Sequence, residues 1–205
     1  MPSLLWFRRD LRLHDLPALA AAIDQDRDVL ACFVLDPRLE ASSGPRRLQF
    51  LGDCLRHLNA ELDGRLLITR GRPEERIPLI ANKVDATAVH ISADFSPFGR
   101  RRDSRVQDAL DGIPLISTGS PYLISPGRVT KDDDSPYKVF TPFFRRWRDH
   151  GWRQPAGTGA QSARWIDPGS VATAVSKLAD APDTGVPAGF TAGEEAARHR
   201  WQQFV

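Results

Sequence analysis

Val29–Leu35 reads VLACFVL, seven apolar residues in a row that stop at Asp36-Pro37. A surface helix shows one apolar stripe, so unbroken apolarity over so short a run marks a strand buried on both faces. Three more runs share this character: Ser3–Arg8 (SLLWFR), Leu66–Arg70 (LLITR, stopping at Gly71) and Ala88–Ile91 (AVHI, followed by Ser92, Ala93 and Asp94). Ile113–Ile116 is a weaker fifth.

Helical periods separate these runs. Asp15 is placed to cap a helix over Pro17–Ile23, since proline is tolerated in a first turn. Pro45 opens a longer helix, in which Leu48, Leu51, Leu55, Leu58 and Leu62 form one apolar stripe. Pro73–Val84 carries Ile77, Ile80 and Val84 at the same steps, and Gly99–Leu110 turns Val106 and Leu110 inward. The alternation predicts an α/β fold: a doubly wound five-stranded parallel sheet with helices on both faces. A linker and one C-terminal helix follow. Ser120–Thr130 is rich in Pro, Gly and Ser, Asp132–Asp134 is an acidic turn, and Phe140–Trp152 is aromatic and basic. The stretch 153–187 reads as extended linker, and Gly193–Val205 is helical again, with Ala197, Trp201 and Phe204 or Val205 on one stripe.

Composition narrows the class. With 41% hydrophobic and 26% charged residues over 205 positions, the chain is of globular type. No apolar run approaches the ~18 residues of a membrane span, and MPSLLWFRRD turns charged too early for a signal peptide. Two cysteines, Cys32 and Cys54, make no disulfide framework, so a reducing cytoplasm is expected; a monomer is the separate expectation for the assembly. Both cysteines are read as small buried hydrophobes, and no Cys/His cluster suggests a metal. Net charge of +2 is too small to imply nucleic acid. Of 28 basic residues only Lys83, Lys131, Lys138 and Lys177 are lysines. GC-rich coding explains that bias simply, and guanidinium forks for phosphates or carboxylates explain it functionally.

In an open parallel sheet, ligands bind beyond the carboxyl ends of the strands. Those ends here are Arg8-Arg9-Asp10, Asp36, Gly71 and Asp94–Gly99. No G-x-G-x-x-G follows the first strand and no P-loop motif occurs, so the usual dinucleotide and P-loop readings lose their support. Gly157-Thr158-Gly159 follows no strand. His14 beside Asp15 suggests a base and its orienting carboxylate, but a capping aspartate next to a surface histidine accounts for the pair as well. The cluster Arg100, Arg101, Arg102 and Arg105 is either a solvated helix face or an anion site. Arg145, Arg146 and Arg148 with Trp147 and Trp152 look superficially like a nucleic-acid patch, although such aromatics beside a linker also suit packing on a neighbouring domain. No catalytic residue is assigned.

Three stretches are more specific. Trp6-Phe7-Arg8-Arg9-Asp10-Leu11-Arg12-Leu13-His14-Asp15 resembles the opening signature of the DNA photolyase and cryptochrome family. Ser92–Asp103 (SADFSPFGRRRD) resembles that family's loop after its fourth strand, and Tyr137–Phe143 (YKVFTPF) the segment closing its N-terminal domain. A looser likeness continues over 189–204.

The resemblance implies a Rossmann-like antenna domain over 1–150, an interdomain linker over 151–188, and the first helix of a missing helical FAD-binding domain over 189–205. Such a domain harvests light for FAD, which repairs pyrimidine dimers in DNA. A chain ending at Val205 is then expected to lack the FAD pocket, to meet damaged DNA only through the missing domain, and not to be catalytic alone. The implied antenna is 8-hydroxy-5-deazaflavin, with methenyltetrahydrofolate or FMN as alternatives. Asp94 is implied to accept from the ring N–H, Arg47 and Arg102 to touch the ligand, and Val34, Leu35 and Asp36 to line its pocket. Ser96 departs from the family, where glutamate is usual, and this weakens both the deazaflavin and the folate assignment. Two other readings compete, a cryptochrome-type photoreceptor and a small nucleotide-binding α/β module. Trp152, Trp165, Trp201 and Phe204 are expected to lie exposed, facing the absent domain.

Overall fold

The computed structural model describes residues 1–157, 159–171 and 190–205. Five parallel strands lie where the apolar runs place them: β1 (Ser3–Phe7), β2 (Asp28–Leu35), β3 (Leu66–Arg70), β4 (Ala88–Ile91) and β5 (Leu115–Ser117). Their order is β3-β2-β1-β4-β5. The chain therefore winds outward one way from β1 and then, at β4, the other way. The carboxyl ends of β1 and β4 part at this reversal, where open α/β sheets form crevices.

Alternation along the strands sorts the core into two layers. Leu4, Trp6, Leu30, Cys32, Val34 and Val89 face one side, packed with Ile77, Ile80, Val106 and Leu110. Leu5, Phe7, Val29, Ala31 and Phe33 face the other, packed with Leu19, Leu55, Leu58 and Leu62. The helices supplying these partners are α1 (Pro17–Gln25), α3 (Pro45–Glu61), α4 (Pro73–Lys83) and α5 (Pro97–Ala109). They and the one-turn α2 (Pro37–Ala41) all open on proline, whose fixed φ suits a first turn and whose missing N–H is not needed there.

Four expectations need correction. Asp15 does not cap α1: Leu16 is the N-cap, and Asp15 stands at φ 49°. Its carboxylate instead accepts from the Arg153 guanidinium (2.5 Å) and the Ala156 N–H (2.7 Å), tying down the segment 153–156. Leu48 and Leu51 are only half-buried, so the buried part of the α3 stripe begins at Gly52 and Leu55. The fifth strand covers Leu115–Ser117 rather than Ile113–Ile116, beginning two residues later and ending one residue beyond the apolar run.

The stretch 153–187 is not all extended linker. A sixth strand, β6 (Arg164–Trp165), pairs in parallel with the start of β2. Trp165 packs against the second core layer and is half-buried, not exposed as expected. Trp152, Trp201 and Phe204 do lie exposed, at 56%, 61% and 81%. The last two belong to α7 (Glu194–Phe204), and Trp152 follows α6 (Phe140–His150). Residues 172–188 of the expected linker, and Gly189, lie outside the described residues. Among the described residues no helix is long and apolar enough to cross a membrane.

One buried histidine makes stability depend on pH. His90 on β4 is 1% exposed, and its Nε2 lies 3.1 Å from Gln25 Oε1. Gln25 Nε2 donates to Thr87 Oγ1, which turns the amide oxygen toward the ring. Nε2 therefore carries the proton, and the buried Nδ1 has no partner. Burial lowers the His90 pKa. The unfolded chain takes up this proton near pH 6.5 and the folded chain resists it, so stability falls as pH drops below that value. Urea unfolding at pH 7.5 and 5.5 should show His90→Leu losing less than the parent, by up to about 1.4 kcal/mol per pH unit for one proton.

Candidate functional site

The carboxyl end of β1 runs from Trp6 into Arg8 and Arg9, and two guanidiniums gather on the indole. Arg8 and Arg102 lie 5.0 and 5.2 Å from the Trp6 ring centroid. Their side chains are only 6% and 7% exposed. Buried cations require partners. Arg8 donates to the Ser92 carbonyl and to Asp103. Arg102 meets the same carboxylate through Nε (2.9 Å) and Nη2 (2.8 Å). Burial pulls the Arg8 pKa down, as does the like charge of Arg102, while Asp103 opposes both.

Asp94 anchors the turn between β4 and α5. Its Oδ1 accepts from the Ser96 N–H (3.0 Å) and lies 3.6 Å from exposed Arg9; its Oδ2 is 3.4 Å from Arg102. Burial pushes the Asp94 carboxyl up, but the Ser96 hydrogen bonds, Arg102 and Arg9 outweigh it and hold the group below its ordinary range. Gly99 makes this placement possible, because a Cβ there would stand 2.2 Å from the Asp94 carboxyl carbon. Ser96, where the resemblance leads one to look for glutamate, is the N-cap of α5: its Oγ accepts from the Gly99 N–H at 3.0 Å.

Asp36 follows β2 and caps α2, accepting from the Arg38 N–H at 3.0 Å. The Arg38 side chain folds back on the Asp36 carboxylate and also holds Glu74 of α4. Between these groups opens a cleft of about 90 Å³, lined by Trp6, Phe7, Arg8, Arg9, Phe33, Val34, Asp36, Leu39, Pro73 and Arg102.

The structure thus brings Val34, Asp36 and Arg102 to one cleft. Asp94 borders an adjoining crevice with Arg8, Arg9, Asp10 and Ser92. Leu35 packs against the second core layer, and Arg47 lies exposed in the first turn of α3, outside the cleft lining. Trp6, Arg8, Leu39 and Pro73 line the cleft without having been singled out as ligand contacts. The clue was available for Arg8, which directly follows the first strand. Nothing local in the sequence marks a buried pair of arginines.

The other candidates separate. His14 Nδ1 lies 3.0 Å from Glu194, while Asp15 holds Arg153, so the two neighbours do not form a base and its orienter. Of the cluster Arg100–Arg105 only Arg102 is buried. Arg145, Arg146 and Arg148 stand exposed on α6 beside a stacked series, Phe140 on Phe144 (5.7 Å) and Phe144 on Trp147 (6.2 Å). Cys32 is fully buried, and burial pushes its thiol pKa far up. No group of three or more potential metal ligands occurs among the described residues. A cleft lined by aromatic rings, buried guanidiniums and the Asp36 carboxylate has the chemistry to recognise a flat polar molecule.

Known proteins share this fold. Deoxyribodipyrimidine photo-lyase from a Synechococcus species is 33% identical over 219 residues, which covers 99% of this chain and 45% of that protein. The chain therefore spans about half the length of the curated relatives that it matches most fully. A crystal structure of a bacterial class III photolyase from Agrobacterium tumefaciens superposes with a TM-score of 0.79 at 25% identity, covering 99% of this chain and 44% of that one. An archaeal photolyase from Sulfolobus tokodaii, solved with two FAD molecules, gives a TM-score of 0.67 at 26% identity, covering 77% and 37%. Residues 3–160 match the DNA photolyase family, and the chain belongs to it.

Proposed function

We propose that this chain is the light-harvesting domain of a deoxyribodipyrimidine photolyase. It binds a flat antenna chromophore at the carboxyl end of the sheet and passes excitation to FAD. The observation that carries this reading is the Trp6 platform with its two buried arginines, set at the strand ends of a photolyase-family sheet. Residues 1–150 form the antenna unit, 151–188 the connection, which lends β6 to the edge of the antenna sheet, and 189–205 the first helix of an FAD-binding helical domain. FAD and damaged DNA are then met outside the antenna unit.

8-Hydroxy-5-deazaflavin is the first candidate ligand. Asp94, held in its ionised form, takes a ring N–H, Arg102 faces ring oxygens, and the Val34–Asp36 edge lines the pocket. FMN is the second candidate, because it carries the same isoalloxazine ring as FAD, two molecules of which are present in the Sulfolobus tokodaii photolyase. Methenyltetrahydrofolate is the third candidate.

Titration of each compound, with ATP as a fourth arm, into the purified chain tests this through quenching of tryptophan fluorescence. One of the three chromophores should bind, and Asp94→Ala should bind it about 5- to 150-fold more weakly, the equivalent of roughly 1–3 kcal/mol for an unpaired polar group. Binding of ATP alone, or of none of the four, overturns the reading. Equal binding by parent and variant removes Asp94 from the site.

A further inference from the structure

The cleft is too small for the ligand assigned to it. At about 90 Å³ it falls well short of the ~300–1,000 Å³ of small-molecule sites. Its floor is part of the core, since Trp6 and Val34 belong to the central strands and are buried. Its outer wall is different. Leu39 of α2 is 45% exposed, and α2 is a five-residue helix that buries none of its side chains. A short helix without buried anchors is an element that can move at low cost.

What holds α2 in place is charge. Arg38 grips Asp36 with Nε (2.9 and 3.1 Å) and Nη2 (2.7 Å). The same fork reaches across to Glu74, at the start of α4, with Nη1 (2.9 Å) and Nη2 (3.0 Å). The guanidinium also lies 5.7 Å from the Phe98 ring centroid of α5. One side chain therefore ties β2, α4 and α5 together beside the cleft. A second ion pair, Arg70 to Glu40 (2.8 Å), fastens α2 to the end of β3.

We propose that Arg38 is a clasp: its ion pairs hold α2 over the cleft, and a ring-sized chromophore enters only when they open. This rests on the chromophore reading given above. Bidentate charge-assisted hydrogen bonds close the clasp tightly. The Arg38 side chain is 31% exposed, so salt reaches it and should loosen it.

Stopped-flow mixing with FMN and with 8-hydroxy-5-deazaflavin, at 20 and 500 mM NaCl, tests this on the full chain. Arg38→Met keeps the apolar stem and the backbone cap on Asp36 but removes the fork. Glu74→Gln weakens half of the clasp while leaving the Asp36 pair in place. Association should quicken roughly tenfold in Arg38→Met, a change equal to 1.4 kcal/mol. It should quicken less in Glu74→Gln, and high salt should speed the parent but not Arg38→Met. Amide exchange at 38–41 without ligand is the second readout and should be faster in Arg38→Met, with the urea midpoint confirming that the variant is folded.

Unchanged association and exchange overturn the clasp. So does slower association, or dissociation that alone quickens, because Arg38 would then be a ligand contact. If neither parent nor variant binds any chromophore, the chromophore reading fails by itself, and the exchange readout still decides whether Arg38 holds α2 down.

Discussion

Asp103→Ala should lower folding stability by about 3–5 kcal/mol, the usual cost of removing one partner from a buried ion pair. Asp103 is the carboxylate shared by Arg8 and Arg102, whose side chains are 6% and 7% exposed. Without it, two like charges face one another over Trp6, with Asp94 at 3.4 Å from Arg102 as the nearer remaining anion. Asp103→Asn keeps the shape and one accepting oxygen, so it should cost less. The triple replacement Arg8→Met, Arg102→Met, Asp103→Leu should recover most of the loss, because apolar groups of similar volume avoid the desolvation of three charges. Urea midpoints of the four proteins check this. A loss below about 1 kcal/mol in Asp103→Ala, the range of exposed pairs, would mean that this network behaves as a surface one.

The second large effect is expected at Trp6. Trp6→Ala should cost about 3–5 kcal/mol, since the site is 3% exposed and the central strand can close the void only in part. The same change removes the ring under both guanidiniums and the floor of the cleft. Trp6→Phe keeps a smaller aromatic face and should lose less stability. Fluorescence-detected titration should then show weaker chromophore binding even where the protein remains folded. Equal binding by parent and Trp6→Phe would make the indole part of the core alone and place the ligand elsewhere.

Both effects arise where local pattern and long-range pairing meet. The five strands and their covering helices could be read directly, because burial on both faces of VLACFVL and the leucine steps of α3 are properties of consecutive residues. Proline at the first position of the first five helices is equally local. The motif Trp6–Asp15 carried the family, and with it the region of the site, since strand ends are where an open parallel sheet leaves room for a ligand.

Which charges meet was not legible. Among 28 basic and 26 acidic residues, each arginine has many chemically equivalent partners, and neighbours in sequence mislead. Asp15 suggested a cap for α1, yet it binds Arg153, 138 residues away. His14 stood beside Asp15, yet it meets Glu194, whose carboxylate also accepts from the Leu13 and His14 N–H groups. Arg47 was grouped with Arg102, but α3 leaves Arg47 in solvent while α5 turns Arg102 inward. The two-residue β6 carries too little pattern of its own; it exists because the open start of β2 offers hydrogen-bond partners. The sequence by itself therefore determined the sheet, its covering helices and the family, since hydrophobic periodicity acts over a few residues. Only the tertiary structure decided the ion-pair network, the clasp on α2 and the size of the cleft, because those depend on which distant side chains the packed layers bring within about 3 Å of one another, the range of a hydrogen bond.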